Sequence, residues 1–156
     1  MGKQVKIEGF ARVAIEENGK IVGDTGWGEP NQITNAGFLN FLCHLLGASA
    51  GSSQIGYVAL GTGGAPASNA TTLPGEIMGS TQRKVPVYAN VGSTTAQFTA
   101  TFASSDSFLT ASANLDNIGL FAATNTNATL FAGSVYSSSS CGTNQNVNAT
   151  YQIRFS

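Results

Sequence analysis

Charge is what this 156-residue chain has least of: Asp, Glu, Lys and Arg make up 10% of it, and the formal net charge is −1. An ordinary soluble domain carries about 25% charged residues. A surface covered by Ser, Thr, Asn, Gln and Gly projects little long-range field, so neither nucleic acid nor an anionic membrane is expected as a partner. Histidine is nearly absent as well. His44 is the single one, with no carboxylate nearby in sequence, and an isolated histidine in an apolar helical stretch is expected to be packed or half-exposed rather than a ligand or base. Cys43 and Cys141 stand in a helix-like run and a Ser-rich stretch; they form neither a metal spacing nor a CxxC motif and are expected to be separate free thiols. No apolar run approaches the ~20 residues that span a bilayer, since the longest is 38–46. The opening MGKQVKIEGF has no apolar core or small-residue cleavage site, so no secretory signal is expected. Lys6 stands where myristoylation after Gly2 requires Ser or Thr.

Motifs for catalysis and cofactors are missing too. Gly61-Thr62-Gly63-Gly64 follows a strand-like run, but it lacks the Lys-Ser/Thr of a P-loop, the third glycine of a dinucleotide fingerprint and a helix start behind it. The carboxylates Glu8, Glu16, Glu17, Asp24, Glu29, Glu76, Asp106 and Asp116 build no calcium loop. A serine hydrolase would need a base, and His44 has no G-x-S-x-G elbow to serve. Sequons at Asn69, Asn127 and Asn148 are what an Asn- and Thr-rich chain produces by chance. No enzymatic activity, cofactor or metal is expected.

What is present is period-two alternation. At 156 residues one domain is expected, with an N-terminal hairpin and arm over 1–30 and a main body over 31–156. Gln4 to Ile15 forms a strand, with Gly9 as a candidate bulge, and Asn18-Gly19 offers the positive-φ pair of a type I′ turn before Ile21 and Val22 return. Thr34 or Asn35 can cap a helix over 35–46, whose stripe is Phe38, Leu39, Leu42, Leu45 and Leu46, with Phe41 off the main face and Gly47 as the stop. Strands are expected at 55–60, at 83–91 (at an edge or starting at a bulge, because Pro86 cannot donate to a ladder), at 96–102, 106–112, 115–122 and 130–136, and at 147–155. Asn125 to Asn127 is expected to turn, and the SSSSCGTNQN tract at Ser137 to Asn146 to be a loop. The pattern predicts an all-β sandwich or jelly-roll-like barrel of about seven to nine strands with one short helix.

Between the 55–60 and 83–91 strands lies a long loop. From Gly61 to Gly75 it holds no Asp, Glu, His, Lys, Arg or Cys, so it is expected to touch a partner rather than react with one. The order of ITNAGFLNFL (Ile33 to Leu42), YVALGTGGAP (Tyr57 to Pro66), TTLPGEI (Thr71 to Ile77), RKVPV (Arg83 to Val87) and IGLFAA (Ile118 to Ala123) resembles a broad group of small tailed-bacteriophage virion proteins, including capsid decoration and tail or fibre components. The resemblance covers roughly residues 31–156. It implies a virion structural protein, with capsid decoration preferred over a tail, baseplate or fibre part, assembled in the host cytoplasm. It also implies a homo-oligomer, most simply a trimer, that binds the major capsid protein or tail proteins.

The expected subunit contacts are the N-terminal hairpin, Trp27, and Gly61, Thr62, Gly63, Gly64, Pro66 and Leu73 of the loop, with Glu76 and Arg83 flanking it. Trp27 has two readings: a lid over its own core, or an anchor into a neighbour. Glu76 and Arg83 have two as well, namely solvation of strand ends or subunit contact. A rival from another class is a carbohydrate-binding module, which would use exposed aromatics such as Trp27, Tyr57, Tyr88 and Tyr136.

Overall fold

The computed structural model describes residues 6–31, 33–43, 54–77, 83–124 and 129–156. The expectations placed on Val5, His44, Leu45, Leu46, Gly47 and Asn125 to Asn127 lie outside them. The long alternating C-terminal run becomes the centre of the molecule. Strand β8 (Asn146–Phe155) buries Val147, Ala149, Tyr151 and Ile153 on one face, and is paired antiparallel on both sides, with β1 (Ile7–Glu17) and with β5 (Thr95–Phe102). Adding β2 (Lys20–Asp24) beyond β1 and β4 (Val87–Asn90) beyond β5 completes a five-stranded sheet in the order β2-β1-β8-β5-β4. A second sheet, β3-β6-β7, consists of β3 (Tyr57–Gly61), β6 (Ala113–Phe121) and β7 (Leu130–Cys141).

The two sheets form an all-β sandwich, and neither closes into a barrel. Val13, Ile15, Phe98 and Phe102 of the large sheet share one apolar cluster with Val58, Leu60, Ile118 and Leu120 of the small one. This is the core, built from the alternate residues that each strand turns inward. The small sheet is covered on its other face too, where Ala59, Phe121 and Leu130 pack with Leu73. Its strands consequently carry continuous apolar runs instead of alternation.

The N-terminal hairpin turns at Asn18 (φ 50°) and Gly19 (φ 76°), as the Asn-Gly pair predicts. Gly9 is not a bulge: Glu8, Gly9 and Phe10 pair in unbroken register with Arg154, Ile153 and Gln152. The position needs glycine because a Cβ there would lie 2.8 Å from the Tyr151 ring. The irregularity of β1 falls instead between Ile15 and Glu16, against β2.

The expected helix is replaced, within the described residues, by one α-helical turn, Asn35–Gly37, that widens into a π-helical turn, Phe38–Cys43. The Thr34 hydroxyl caps it, accepting from the Gly37 N–H at 2.9 Å, and also lies 2.6 Å from the Leu130 carbonyl it can donate to. A turn wider than 3.6 residues re-phases the buried face. Phe41 is therefore the residue that packs, 4.8 Å from the Phe131 ring, while Phe38 and Leu39 are exposed.

Two further expectations are corrected. Residues 106–112 are not a strand: a 3₁₀ turn, Ser104–Asp106, is tied by the Asp106 carboxylate to the Ala103 N–H, Ser107 takes a left-handed conformation (φ 54°), and Phe108 and Leu109 are buried in succession. Successive burial is incompatible with a strand packed on one face only. The Ser-rich tract is not a loop either, because β7 runs on to Cys141, pairing Ser140 with Asn114 and Cys141 with Ala113. Ser137, Ser138 and Ser140 face solvent there, so the ladder asks nothing apolar of them. Cys141 is buried as a free thiol at the strand's end.

Strand β4 is an edge, as Pro86 predicts, but it is shorter than the alternation suggests. Lys84 instead bridges Val58 of β3 through both backbone hydrogen bonds, so the chain crosses from the small sheet to the large one over Val85 and Pro86.

Candidate functional site

The 61–75 loop folds onto its own sheet. Its ends are zipped by Thr62 N–H to the Gly75 carbonyl and Gly63 N–H to the Pro74 carbonyl, both 3.1 Å, with Gly75 at φ 60°. Asn117, fully buried in β6, donates to the carbonyls of Gly64 and Pro74 at 2.8 Å each, and the Asp116 carboxylate accepts from the Gly64 N–H at 3.0 Å. Pro66 is buried against Gly133 of β7, and Leu73 fills the outer face of the small sheet. Of the loop residues singled out in the sequence, Gly61, Pro66 and Leu73 turn toward the chain itself; Thr62 and Gly63 are exposed and Gly64 is half-buried.

Glu76 and Arg83 do not solvate strand ends. Their side chains are 7% and 5% exposed and meet in a two-pronged pair, Nε to Oε1 at 2.5 Å and Nη2 to Oε2 at 2.9 Å. The guanidinium also donates to the Ala123 carbonyl at 2.7 Å and lies 3.7 Å from the centre of the Phe121 ring. This pair clasps the far end of the loop to the end of β6. Burial and fixed bidentate geometry distinguish it from a surface ion pair.

Trp27 belongs to an arm, residues 25–31, that continues past β2 along the edge of β1. Thr25, Gly28 and Asn31 each donate a backbone N–H to β1, at the carbonyls of Val13, Ala11 and Gly9, over 2.9–3.0 Å. The indole is not a lid over the core. It is 41% exposed and rests 5.4 Å from the Arg154 guanidinium, which itself stacks at 3.9 Å on Phe10. The Gln152 side-chain carbonyl, at 2.9 and 2.7 Å, fixes that guanidinium.

Across from the arm, β7 carries a bulge. Leu115 pairs with Ser139 but Asn117 pairs with Val135, so Asp116 alone stands opposite Tyr136 to Ser138. Bulges re-aim side chains, and this one sits beside a groove. The groove, about 780 Å³, lies between the arm and β7 and ends at Ala65 and Pro66. Tyr136 lines it while only 8% exposed, and burial pushes its phenol above the ordinary tyrosine range, with the Asp116 charge acting in the same direction. Asn31 lines it as well; its Oδ1 accepts from the buried Tyr151 hydroxyl. Neither the Tyr136 hydroxyl nor Asn31 Nδ2 has a hydrogen-bond partner among the described residues, though both atoms are buried.

Of the four aromatics the sequence suggested for sugars, the structure brings together Trp27 and Tyr136. Tyr57 is half-buried on β3, and Tyr88 lies on the β4 edge, 5.5 Å from Phe98. Asn31, Asp116 and Asn117 went unnoticed in the sequence as site residues. For Asn117 a signal existed, since a polar amide inside the apolar strand Leu115 to Phe121 must find buried partners. Among the described residues no group of three or more His, Cys, Asp or Glu could hold a metal, and no helix is long and apolar enough to cross a membrane. No protein-family model, curated protein or solved structure matches the chain.

Proposed function

We propose that the chain is a structural subunit of a tailed-bacteriophage virion, a capsid decoration protein that joins copies of itself into a ring seated on the shell. The order of motifs supports the virion, and one structural observation supports the ring. Among the described residues the five-stranded sheet ends in two unlike, unpaired edges, both apolar: Ile21 and Val22 on β2 are more than half exposed, and at the other end Val85, Val87 and Tyr88 expose 72%, 73% and 57%. Such edges invite strand pairing with another chain. Because the edges differ, β2 of one copy meets β4 of the next, a head-to-tail contact that must close into a ring or run on as a fibre. A closed trimer is the state the resemblance implies, with contacts on the order of 2,000 Å² if obligate. The N-terminal hairpin stays in the contact, and of the loop residues singled out in the sequence Thr62 and Gly63 are exposed to join it.

Light scattering on the purified protein tests the ring, with three copies expected. Val87→Lys should give a monomer with an unchanged circular dichroism spectrum, and a wild-type monomer at tens of micromolar would refute the ring. Incubation with shells of the major capsid protein from the same virion tests the location: saturable binding at a fixed ratio supports decoration, and association with tails alone assigns the chain to the tail, baseplate or fibre.

A further inference from the structure

We infer that the groove between the 27–31 arm and β7 binds a neutral saccharide. The inference is independent of the assembly reading, because it rests on the groove's own chemistry. Among the described residues no Lys, Arg or His lines the groove, and Glu29 is its single charged residue. The Arg154 guanidinium lies 5.4 Å from the Trp27 ring and does not itself line the groove, so an anionic ligand such as a phosphate or nucleic acid would find no countercharge on the walls. The walls combine flat apolar surface, from Trp27, Pro30 and Pro66, with neutral hydrogen-bonding groups from Asn31, Ser134 and Tyr136. A pyranose ring has this same duality, with a C–H face for an aromatic ring and hydroxyls that both donate and accept. Two of the polar groups have unpartnered, buried atoms. The Tyr136 hydroxyl and Asn31 Nδ2 are buried without a partner among the described residues, an unfavourable state that a ligand hydroxyl relieves once either side chain turns its polar atom into the groove.

The platform is also pre-set. Arg154, held by Gln152 and backed by Phe10, supports the indole at 5.4 Å while 41% of Trp27 stays open. Little side-chain freedom is then lost on binding. A peptide is the weaker occupant. An added strand requires a regular row of backbone N–H and C=O groups, and the bulge at Tyr136 to Ser138 interrupts that row where β7 lines the groove.

Trp27 is the chain's one tryptophan, so its emission reports directly on the groove. Titration of the intact protein with neutral oligosaccharides (malto-, cello-, xylo- and chito-tetraose), alongside an array of neutral glycans, should give a saturable emission change for at least one of them. Tyr136→Phe should weaken that sugar about tenfold, the worth of one hydrogen bond at the upper end of its range. The same variant should melt no lower than wild type, because it removes a hydroxyl without a partner. Trp27→Ala, followed by calorimetry, should lose binding while keeping the wild-type circular dichroism spectrum. The inference is overturned if no neutral sugar binds up to about 50 mM, if Tyr136→Phe binds as well as wild type, or if proline-rich peptides change the emission and sugars do not.

Discussion

Glu76→Gln is the substitution whose cost the structure defines most closely. It keeps the volume of the side chain but removes the negative charge facing a guanidinium that is 5% exposed. Arg83 would lose its two-pronged carboxylate while keeping its other contacts, among them the Ala123 carbonyl and the Phe121 ring face, neither of which carries a countercharge. Removing one member of a buried pair costs about 3–5 kcal/mol, most of it the penalty for the charge left behind. For a chain of this size each kcal/mol moves the melting midpoint by about 2–4 °C, so a drop of roughly 6–20 °C is expected. Urea denaturation should show the same loss as a lower midpoint at unchanged slope. The decisive comparison is the double variant Glu76→Leu with Arg83→Met, which removes both charges and keeps the bulk. It should return to within about 1 kcal/mol of wild type or exceed it, because apolar replacement of a buried pair is often neutral or stabilising. A single variant that loses less than about 1 kcal/mol, or a double variant no better than the single, would refute the reasoning, since either result would mean that water screens the pair as it does at a surface.

Other outcomes follow from packing and charge. Gly133→Ala would place a Cβ 2.6 Å from the Pro66 ring, so a loss of about 1–3 kcal/mol is expected, together with faster proteolysis within the 61–75 loop as Pro66 is displaced. The hydrogen bonds from Arg12, and then that from the Gly26 N–H, lower the Asp24 pKa to about 2 from its ordinary 3.8. A depressed carboxylate contributes stability that is full above its unfolded pKa and lost as pH falls through the folded one, here between about pH 4 and 2. The pair is exposed, so the effect is small; Asp24→Asn should flatten that part of the acid limb in urea melts at pH 2–5, lying slightly below wild type at pH 7 and meeting it near pH 2.

The parts of the fold that were legible in the sequence are those in which one strand face is buried and the other wet. Val147, Ala149, Tyr151 and Ile153 announce β8 by alternation alone, and Ala96 to Phe102 does the same for β5. Backbone chemistry was legible as well, in the positive φ of Asn18 and Gly19 and in the edge position after Pro86. What failed depended on partners distant in sequence. The serines of β7 look like a loop because composition reports what a side chain prefers, whereas a strand edge facing solvent is held by the β6 backbone. The helical stripe misplaced Phe38 and Leu39 because a single π-helical turn follows the pocket around Phe131 rather than a 3.6-residue period. Part of the candidate site was visible, since Trp27 and Tyr136 are conspicuous aromatics. Asn31 was not, because nothing local says that it contacts Tyr151, 120 residues later.

Where the few charges are placed bears on assembly more than how few there are. Among the described residues three ion pairs, Arg12 with Asp24, Glu76 with Arg83 and Lys84 with Asp106, engage six charged side chains. A monomeric sandwich guards a free edge with lysines, prolines or inward charges. Strand β4 has none of these within it: Val87, Tyr88, Ala89 and Asn90 are all exposed and uncharged, and Pro86 blocks only the approach to the strand. On β2 the charges sit at the ends, Lys20 beside the turn and Asp24 engaged by Arg12, leaving Ile21 and Val22 unguarded between them. A chain that remained a monomer would gain solubility from a single lysine at Val87 at almost no cost to its fold. The bare edges therefore favour a protein in which β2 and β4 are covered by copies of the chain, and a closed ring is the arrangement that covers both without leaving an end exposed.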